Sequence, residues 1–362
     1  MSPDAIPVID GHNDLPWKLR TARGSSVSGL QQHQGEFQTD LPRMHAGGVA
    51  GQFWSAWLPA EYSGAEAIRA TVEQLDLIDR MISAYPDHLR RARTATDVES
   101  ALPTGRIASL LGLEGGHQIA DSLPALRQFA GLGVRYMTLT WNHNTPWADS
   151  ATDEPAHGGL TDRGRQIIAE MNRIGMLVDL SHVAPSTMVQ ALQVTQAPLL
   201  FTHSSCYALN PHPRNVPDEV TAALPGNGGV QMVTFVPSFI DADYWAWQQA
   251  GKQGPAPHVG VDTVADHVEH VREVAGVDHV GVGGDYDGAG LMPSGLQDVA
   301  GYPNLMAELR GRGWSGEDLA KLGYRNVLRV LADNDSAYRA FCGDLPAPAS
   351  RADQDPQAST SA

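Results

Sequence analysis

Six side chains of this sequence carry the right atoms to hold divalent ions and to pass a proton, and all six follow short apolar runs. His12 and Asp14 come after the run 6–10, Glu114 after 107–113, His182 after 176–180, His203 after 198–202 and Asp285 after 279–284. Imidazole nitrogens and carboxylate oxygens are ligands for borderline-soft divalent ions, with zinc the first candidate. A bound ion of this kind lowers the pKa of coordinated water from about 15.7 to about 7, and a second ion polarises a carbonyl oxygen. The chemistry on offer is therefore hydrolytic attack on an acyl carbon. Alone, His12-x-Asp14 is a weak motif, since such a pair also serves as a strand-end hydrogen-bonding pair. Repetition of the same donor types at five run ends gives it weight.

Residues this far apart in sequence meet only if the fold brings the run ends together. Eight short apolar runs alternate with helical patterns, at 6–10, 52–57, 107–113, 134–140, 176–180, 198–202, 229–235 and 279–284. Eight is the number a closed (β/α)8 TIM-type barrel requires, and in that fold the loops after the strands form one shared mouth. Between the runs, Ile68, Val72, Leu75, Ile78 and Ile82 fall at three- and four-residue steps, which predicts an amphipathic helix over 65–85, stopped by Pro86. Similar stripes predict helices at 123–129, 162–173, 185–192 and 261–274, with 315–322 and 324–331 closing the domain. One α/β barrel domain is expected over 1–345. The Pro-, Ala- and Ser-rich stretch 346–362 reads as a solvated tail.

Composition narrows the partners. Acidic residues outnumber basic ones by 41 to 25, and a net charge of -16 repels a phosphate backbone, so nucleic acid is excluded as a partner. No apolar run approaches the roughly 18 residues of a membrane span, and no membrane anchor is expected. The N-terminal MSPDAIPVIDGH has neither a basic n-region nor a long apolar stretch, and the expected location is cytoplasmic. Cys206 and Cys342 are too far apart for a CxxC pair and read as structural thiols. The histidines outside the run ends, His33, His45, His88, His117, His157, His212, His258, His267, His270 and His279, fall in helices, loops or run starts and read as structural.

The ordered segments DGHNDLPW (10–17), GGVAGQFWS (47–55), LEGGH (113–117), VRYMTLTWNHNTPWADS (134–150), LVDLSH (177–182), THSS (202–205), RNVPD (214–218) and GGDYDG (283–288) resemble the membrane, or renal, dipeptidase family of zinc metallopeptidases. The resemblance spans positions 8 to 330. It implies an amidohydrolase-type barrel with a binuclear site at the C-terminal ends of the strands, holding two Zn2+ ions bridged by Glu114. His12, Asp14 and Glu114 would hold the first ion, and Glu114, His182 and His203 the second. Arg214 would grip the carboxylate of a small dipeptide substrate, a task suited to a planar guanidinium fork. Asp285 would be the acid/base group, and Asp287 beside it reads as a turn residue. The resemblance also implies a homodimer, and it admits a C-terminal D-residue in the dipeptide.

One position departs from the family pattern. Animal-type members carry a histidine that contacts the scissile carbonyl where this chain has Trp141, and His143 lies two residues on. Residues two apart in an extended strand share a face, so His143 is a candidate for the carbonyl or oxyanion contact and Trp141 for a reshaped pocket wall. Two other readings stay open: the metal machinery suits a lactam, cyclic amide or ester equally, and the barrel could bind metal or ligand without catalysis. The loop 237–257, with Tyr244, Trp245 and Trp247, could cover the mouth or form a subunit contact.

Overall fold

The computed structural model describes residues 6–343; the stretch 346–362 read as a tail lies outside them. Nine parallel strands form one sheet: β1 (Val8–Asn13), β2 (Val49–Trp57), β3 (Leu89–Arg91), β4 (Ile107–Glu114), β5 (Val134–Thr138), β6 (Leu177–Asp179), β7 (Leu200–Phe201), β8 (Val230–Val233) and β9 (Val280–Val282). Their order is β2-β1-β9-β8-β7-β6-β5-β4-β3, and β2 also pairs with β4. That pairing closes eight strands into a barrel and leaves β3 as an appended edge on β4, with Leu89 opposite Ile107. Each of the eight apolar runs contains or overlaps a barrel strand. The ninth strand was not expected because three residues with two arginines, Leu-Arg-Arg, carry no apolar run.

The strands read as near-continuous apolar runs because both of their faces are covered. Ile9, Phe53, Leu110, Tyr136, Leu177, Leu200, Val230 and Met232, each from a barrel strand, pack into one buried cluster that fills the inside. Their neighbours Val8, Trp54, Leu111, Val178, Phe201 and Val233 join the second cluster, between the barrel and its helices. This is the period-two alternation of a strand applied around a closed cylinder.

Each helix expected from an apolar stripe is present, and helices at Leu15–Arg23, Leu41–Ala46, Ala95–Ala101, Ala242–Gln249 and Tyr302–Gly311 form where none was expected; one expected helix differs clearly in extent. The segment expected at 324–331 is a helix running Asn326–Gly343, preceded by a π-helical turn at Lys321–Arg325. Beyond Leu331 its buried face continues with Asn334, Asp335, Tyr338 and Phe341, so the stripe persists in polar as well as apolar residues. Polar residues are tolerated there because they are paired. Asp335 Oδ1 accepts from buried Arg135 at 3.1 Å, and its Oδ2 accepts from the Ala95 backbone at 2.7 Å. Val327, Val330 and Leu331 of this helix, with Ala95, Val98 and Ala101, share the inner cluster and plug the end of the barrel remote from the strand C-termini.

Candidate active site

His12 and Asp14 stand at the end of β1, Glu114 ends β4, His182 follows β6, His203 follows β7 and Asp285 follows β9. The barrel brings all six together. His12 Nε2 lies 3.2 Å from Glu114 Oε2 and 3.4 Å from Asp14 Oδ2. The other Glu114 oxygen, Oε1, lies 2.9 Å from His182 Nε2 and 3.7 Å from His203 Nε2, so the carboxylate faces one group on each side. Asp285 shares a cluster with His12 and Asp14 in which one ligand atom from each lies within 4.8 Å of the others.

Two buried aspartates hold the strand ends in place. Asp10 Oδ1 accepts from the backbone N–H of His12 and of Gly284, both at 3.0 Å, and its Oδ2 accepts from the Tyr302 hydroxyl at 2.6 Å. This ties β1 to the loop after β9. Asp179 accepts four hydrogen bonds: from the N–H of Ser181 and Thr202, and from the hydroxyls of Thr138 and Thr202. Backbone must also approach backbone closely here. A Cβ on Gly283 would meet the Thr202 carbonyl oxygen at 1.8 Å, and one on Gly288 would meet Asp14 Oδ2 at 2.3 Å and Asp285 Oδ1 at 2.4 Å. His182 and Asp285 adopt left-handed backbone, at φ 69° and 61°. Non-glycine residues hold such angles at a cost of roughly 1–3 kcal/mol each, which the surrounding structure must offset.

Hydrogen bonds at the far ring nitrogens fix which imidazole atoms face the centre. The single proton of the Thr202 hydroxyl goes to the Asp179 carboxylate, so Thr202 Oγ1, 2.9 Å from His203 Nδ1, accepts that ring's N–H. His182 Nδ1 lies 3.0 Å from Asn142 Oδ1 and donates to it. Burial, with Arg214 nearby, pushes His182 down to about 3, and burial, with His12 and Arg214, holds His203 well below the imidazole range, which disfavours a second ring proton on either. Their Nε2 lone pairs therefore face each other at 3.0 Å, beside a Glu114 oxygen. Burial disfavours charge on Glu114, but His12 and His182 outweigh it and keep the carboxylate well below its usual pKa. Among the described residues, buried His12 Nε2 and Asp14 Oδ1 have no hydrogen-bond partner. The Nε2 lone pairs of His182 and His203 beside the carboxylates of Glu114 and Asp14, with His12 held through Nδ1 by the Tyr136 hydroxyl 3.0 Å away, fit divalent cations. Replacing Thr202 with valine should weaken metal affinity by about 10- to 100-fold, measured by competition with a chelator. Unchanged affinity would show that His203 does not depend on this hydrogen bond.

A cavity of about 350 Å³ opens above the cluster, a size typical of small-molecule sites, which run to roughly 300–1,000 Å³. Arg214 lies in its wall, 2% exposed, and none of its three guanidinium nitrogens has a hydrogen-bond partner among the described residues. Burial pulls its pKa down to about 10, against the opposing pull of Asp285 and Glu114. The ring of Phe239, 5.4 Å away, covers it. Phe239 also packs on His212, which packs on Trp245, while Tyr244 packs on Trp247. The segment expected as a loop at 237–257 instead begins with two short helices, Pro237–Ile240 and Ala242–Gln249, whose Phe239 and Trp245 pack with His212 on the Arg214 side of the mouth.

His143 is not brought to this centre. β5 ends at Thr138 and the chain turns through successive bends over 139–143, so the two-residue alternation used to place His143 does not apply. Its side chain is exposed, on the outer side of Trp141 with ring centroids 6.0 Å apart, while Trp141 and Asn142 line the cavity. Asp287 sits in a turn, in left-handed backbone at φ 65°, and also does more than turn the chain. It is 3% exposed, bonded through Oδ1 to the Gln38 N–H at 2.9 Å, and lines the cavity, with burial raising its pKa to about 6.

Burial raises Asp285 well above the carboxylate range, and Asp14 and Glu114 add to the rise against His12 and Arg214. A carboxyl group whose two protonation states are brought closer in energy is suited to taking and returning a proton.

The chain matches the model of the membrane dipeptidase family, peptidase family M19, over residues 3–340. It is 43% identical over 338 residues to dipeptidase verJ of Clonostachys rogersoniana, spanning 90% of this chain and 84% of that protein. It is 40% identical over 347 residues to dipeptidase 3 of Rattus norvegicus, spanning 94% and 68%. A metallo peptidase from Rhodobacter sphaeroides, solved with a phosphinate mimic of the dipeptide L-Ala-D-Ala, shares the architecture at a TM-score of 0.81 and 29% identity, over 91% of this chain and 99% of that one. Among the described residues no helix is long and apolar enough to cross a membrane.

Proposed function

The chain belongs to the membrane dipeptidase family of metallopeptidases, and on that premise we propose that it hydrolyses the single amide bond of a dipeptide anchored by Arg214 over the Glu114 cluster. The observation that carries this reading is the Arg214 guanidinium. It is buried on the wall of the same cavity with every nitrogen unpaired among the described residues, and a substrate carboxylate would supply two parallel charge-assisted hydrogen bonds. One anchored end explains a preference for dipeptides: the scissile amide must lie one residue from the carboxylate, so longer chains are misplaced.

His12, Asp14 and Glu114 would hold one ion and Glu114, His182 and His203 a second, and nitrogen and oxygen donors of this kind favour zinc. Bound there, the ions would supply a water nucleophile at neutral pH and polarise the amide carbonyl. Asp285 takes the proton of the attacking water and returns it to the amide nitrogen as the C–N bond breaks, since an unprotonated amine is a poor leaving group. Trp141 and Asn142 form the wall of the cavity on the β5 side.

The bound L-Ala-D-Ala mimic of the Rhodobacter sphaeroides relative supports extending the substrate class to a C-terminal D-residue. A dipeptide library with L- and D-residues at the C-terminal position tests this. Turnover of both series is expected, and turnover of the L-series alone would remove the extension. A cytoplasmic location belongs to the same proposal and is supported by two free thiols, Cys206 and Cys342, which reducing compartments preserve.

A further inference from the structure

Three tryptophans form one wall of the cavity. Trp17 follows β1, Trp57 ends β2 and Trp141 follows β5. Trp57 meets Trp17 edge-on at 4.7 Å between centroids and Trp141 at 5.0 Å, so the rings make a continuous apolar surface. Trp54 and Trp147, by contrast, are at most 1% exposed and belong to the core. The three wall rings are only partly buried, and all three open on the cavity.

The barrel sets where this wall stands relative to Arg214. Around the closed cylinder β2 is four strands from β7 in either direction, so Trp57 lies across the mouth from the loop that carries Arg214. Glu114 ends β4 and His182 follows β6, both on one arc between them. A dipeptide with its carboxylate on Arg214 and its amide over the cluster must extend its first residue away from Arg214. Consecutive Cα atoms are about 3.8 Å apart, so a single residue beyond the amide directs its side chain to the opposite wall.

We propose that Trp17, Trp57 and Trp141 form the subsite for the side chain of the N-terminal residue, and that the enzyme favours dipeptides beginning with an aromatic or large aliphatic residue. The inference rests on the dipeptidase reading and on Arg214 as the carboxylate anchor. An aromatic side chain entering the site would bury apolar area against three rings and gain offset or edge-on ring contacts. The one basic side chain on this part of the lining, Lys18, offers the competing choice of an acidic first residue.

The test compares kcat/KM for Phe-Ala, Leu-Ala, Asp-Ala and Gly-Ala, and for Ala-Phe and Ala-Gly, on the zinc-loaded enzyme. Phe-Ala and Leu-Ala are expected to exceed Gly-Ala by at least about tenfold. In Trp17→Ala and Trp141→Ala, both at partly exposed positions, the Phe-Ala to Gly-Ala ratio should fall about tenfold while the Ala-Phe to Ala-Gly ratio holds. Trp57→Phe, which keeps an apolar ring, should retain most of the preference. A ratio near one in the wild-type enzyme, an equal fall for Phe-Ala and Gly-Ala in the variants, or Asp-Ala as the best substrate would each overturn the subsite while leaving the dipeptidase reading intact. No turnover of any dipeptide would overturn both.

Discussion

Replacing Asp285 with asparagine should lower kcat for dipeptide hydrolysis by about 10²- to 10⁴-fold while leaving metal content and KM close to wild type. Asparagine preserves the shape of the side chain and one acceptor oxygen but cannot take up the proton of the attacking water or return it to the amide nitrogen. The position is suited to this role. Asp285 is held in left-handed backbone after β9, ordered by the Asp10 bridge to Gly284, with Gly288 leaving room for its carboxylate beside that of Asp14. Steady-state kinetics together with metal analysis check the claim. A variant that lost an equivalent of metal would make Asp285 a ligand, in keeping with its place beside His12 and Asp14.

Arg214→Ala should reduce kcat/KM for dipeptides by about 10²- to 10³-fold, in line with the cost of removing one partner of a buried hydrogen-bonded charge pair. The loss should largely vanish when the substrate is a dipeptide amide, which has no carboxylate to grip. Arg214→Lys should rescue little, because an ammonium lacks the planar fork. The substrate-free variant should also melt no lower than wild type, since the guanidinium is buried without a hydrogen-bond partner among the described residues and its charged form is disfavoured. Full activity of Arg214→Ala on free dipeptides, or an equal loss on amides, would favour the alternative of a lactam or ester hydrolase.

The positions of His12, Asp14, Glu114, His182, His203 and Asp285 were legible in the sequence because each directly follows an apolar run, and the parallel barrel turns a run's end into a place at the mouth. Arg214 carried no such signal. It lies well past β7, in a loop where an arginine would ordinarily be solvated, and only the RNVPD segment marked it. What sequence pattern misplaced was the detail after β5. Alternation predicts faces only while the chain is extended, and bends at 139–143 turn Asn142 and Trp141 toward the cavity and His143 outward.

The network behind the cluster was also invisible. Tyr136, Thr138, Asp179 and Thr202 read as strand residues, and nothing in their spacing shows that Thr202 donates to Asp179 and thereby fixes the His203 tautomer. Asp287 makes the local turn expected of an aspartate among glycines, and its tie to Gln38, 249 residues away in sequence, leaves no mark in the spacing. The short β3 carries one apolar residue beside two arginines, and the second half of the Asn326–Gly343 helix buries Asn334 and Asp335 among its apolar positions, with Asp335 paired to Arg135, 200 residues away, so neither shows a continuous apolar pattern.

The central claim is that the cluster around Glu114 holds two metal ions that the hydrolysis requires. Stripping the protein with a chelator and titrating zinc while following hydrolysis of a dipeptide addresses it directly. Activity should be absent without metal and rise to its maximum at two equivalents per chain, and Glu114→Ala should neither bind the pair nor turn over substrate. Full turnover by the stripped protein, or two bound zinc ions with no turnover of any dipeptide, would contradict the account.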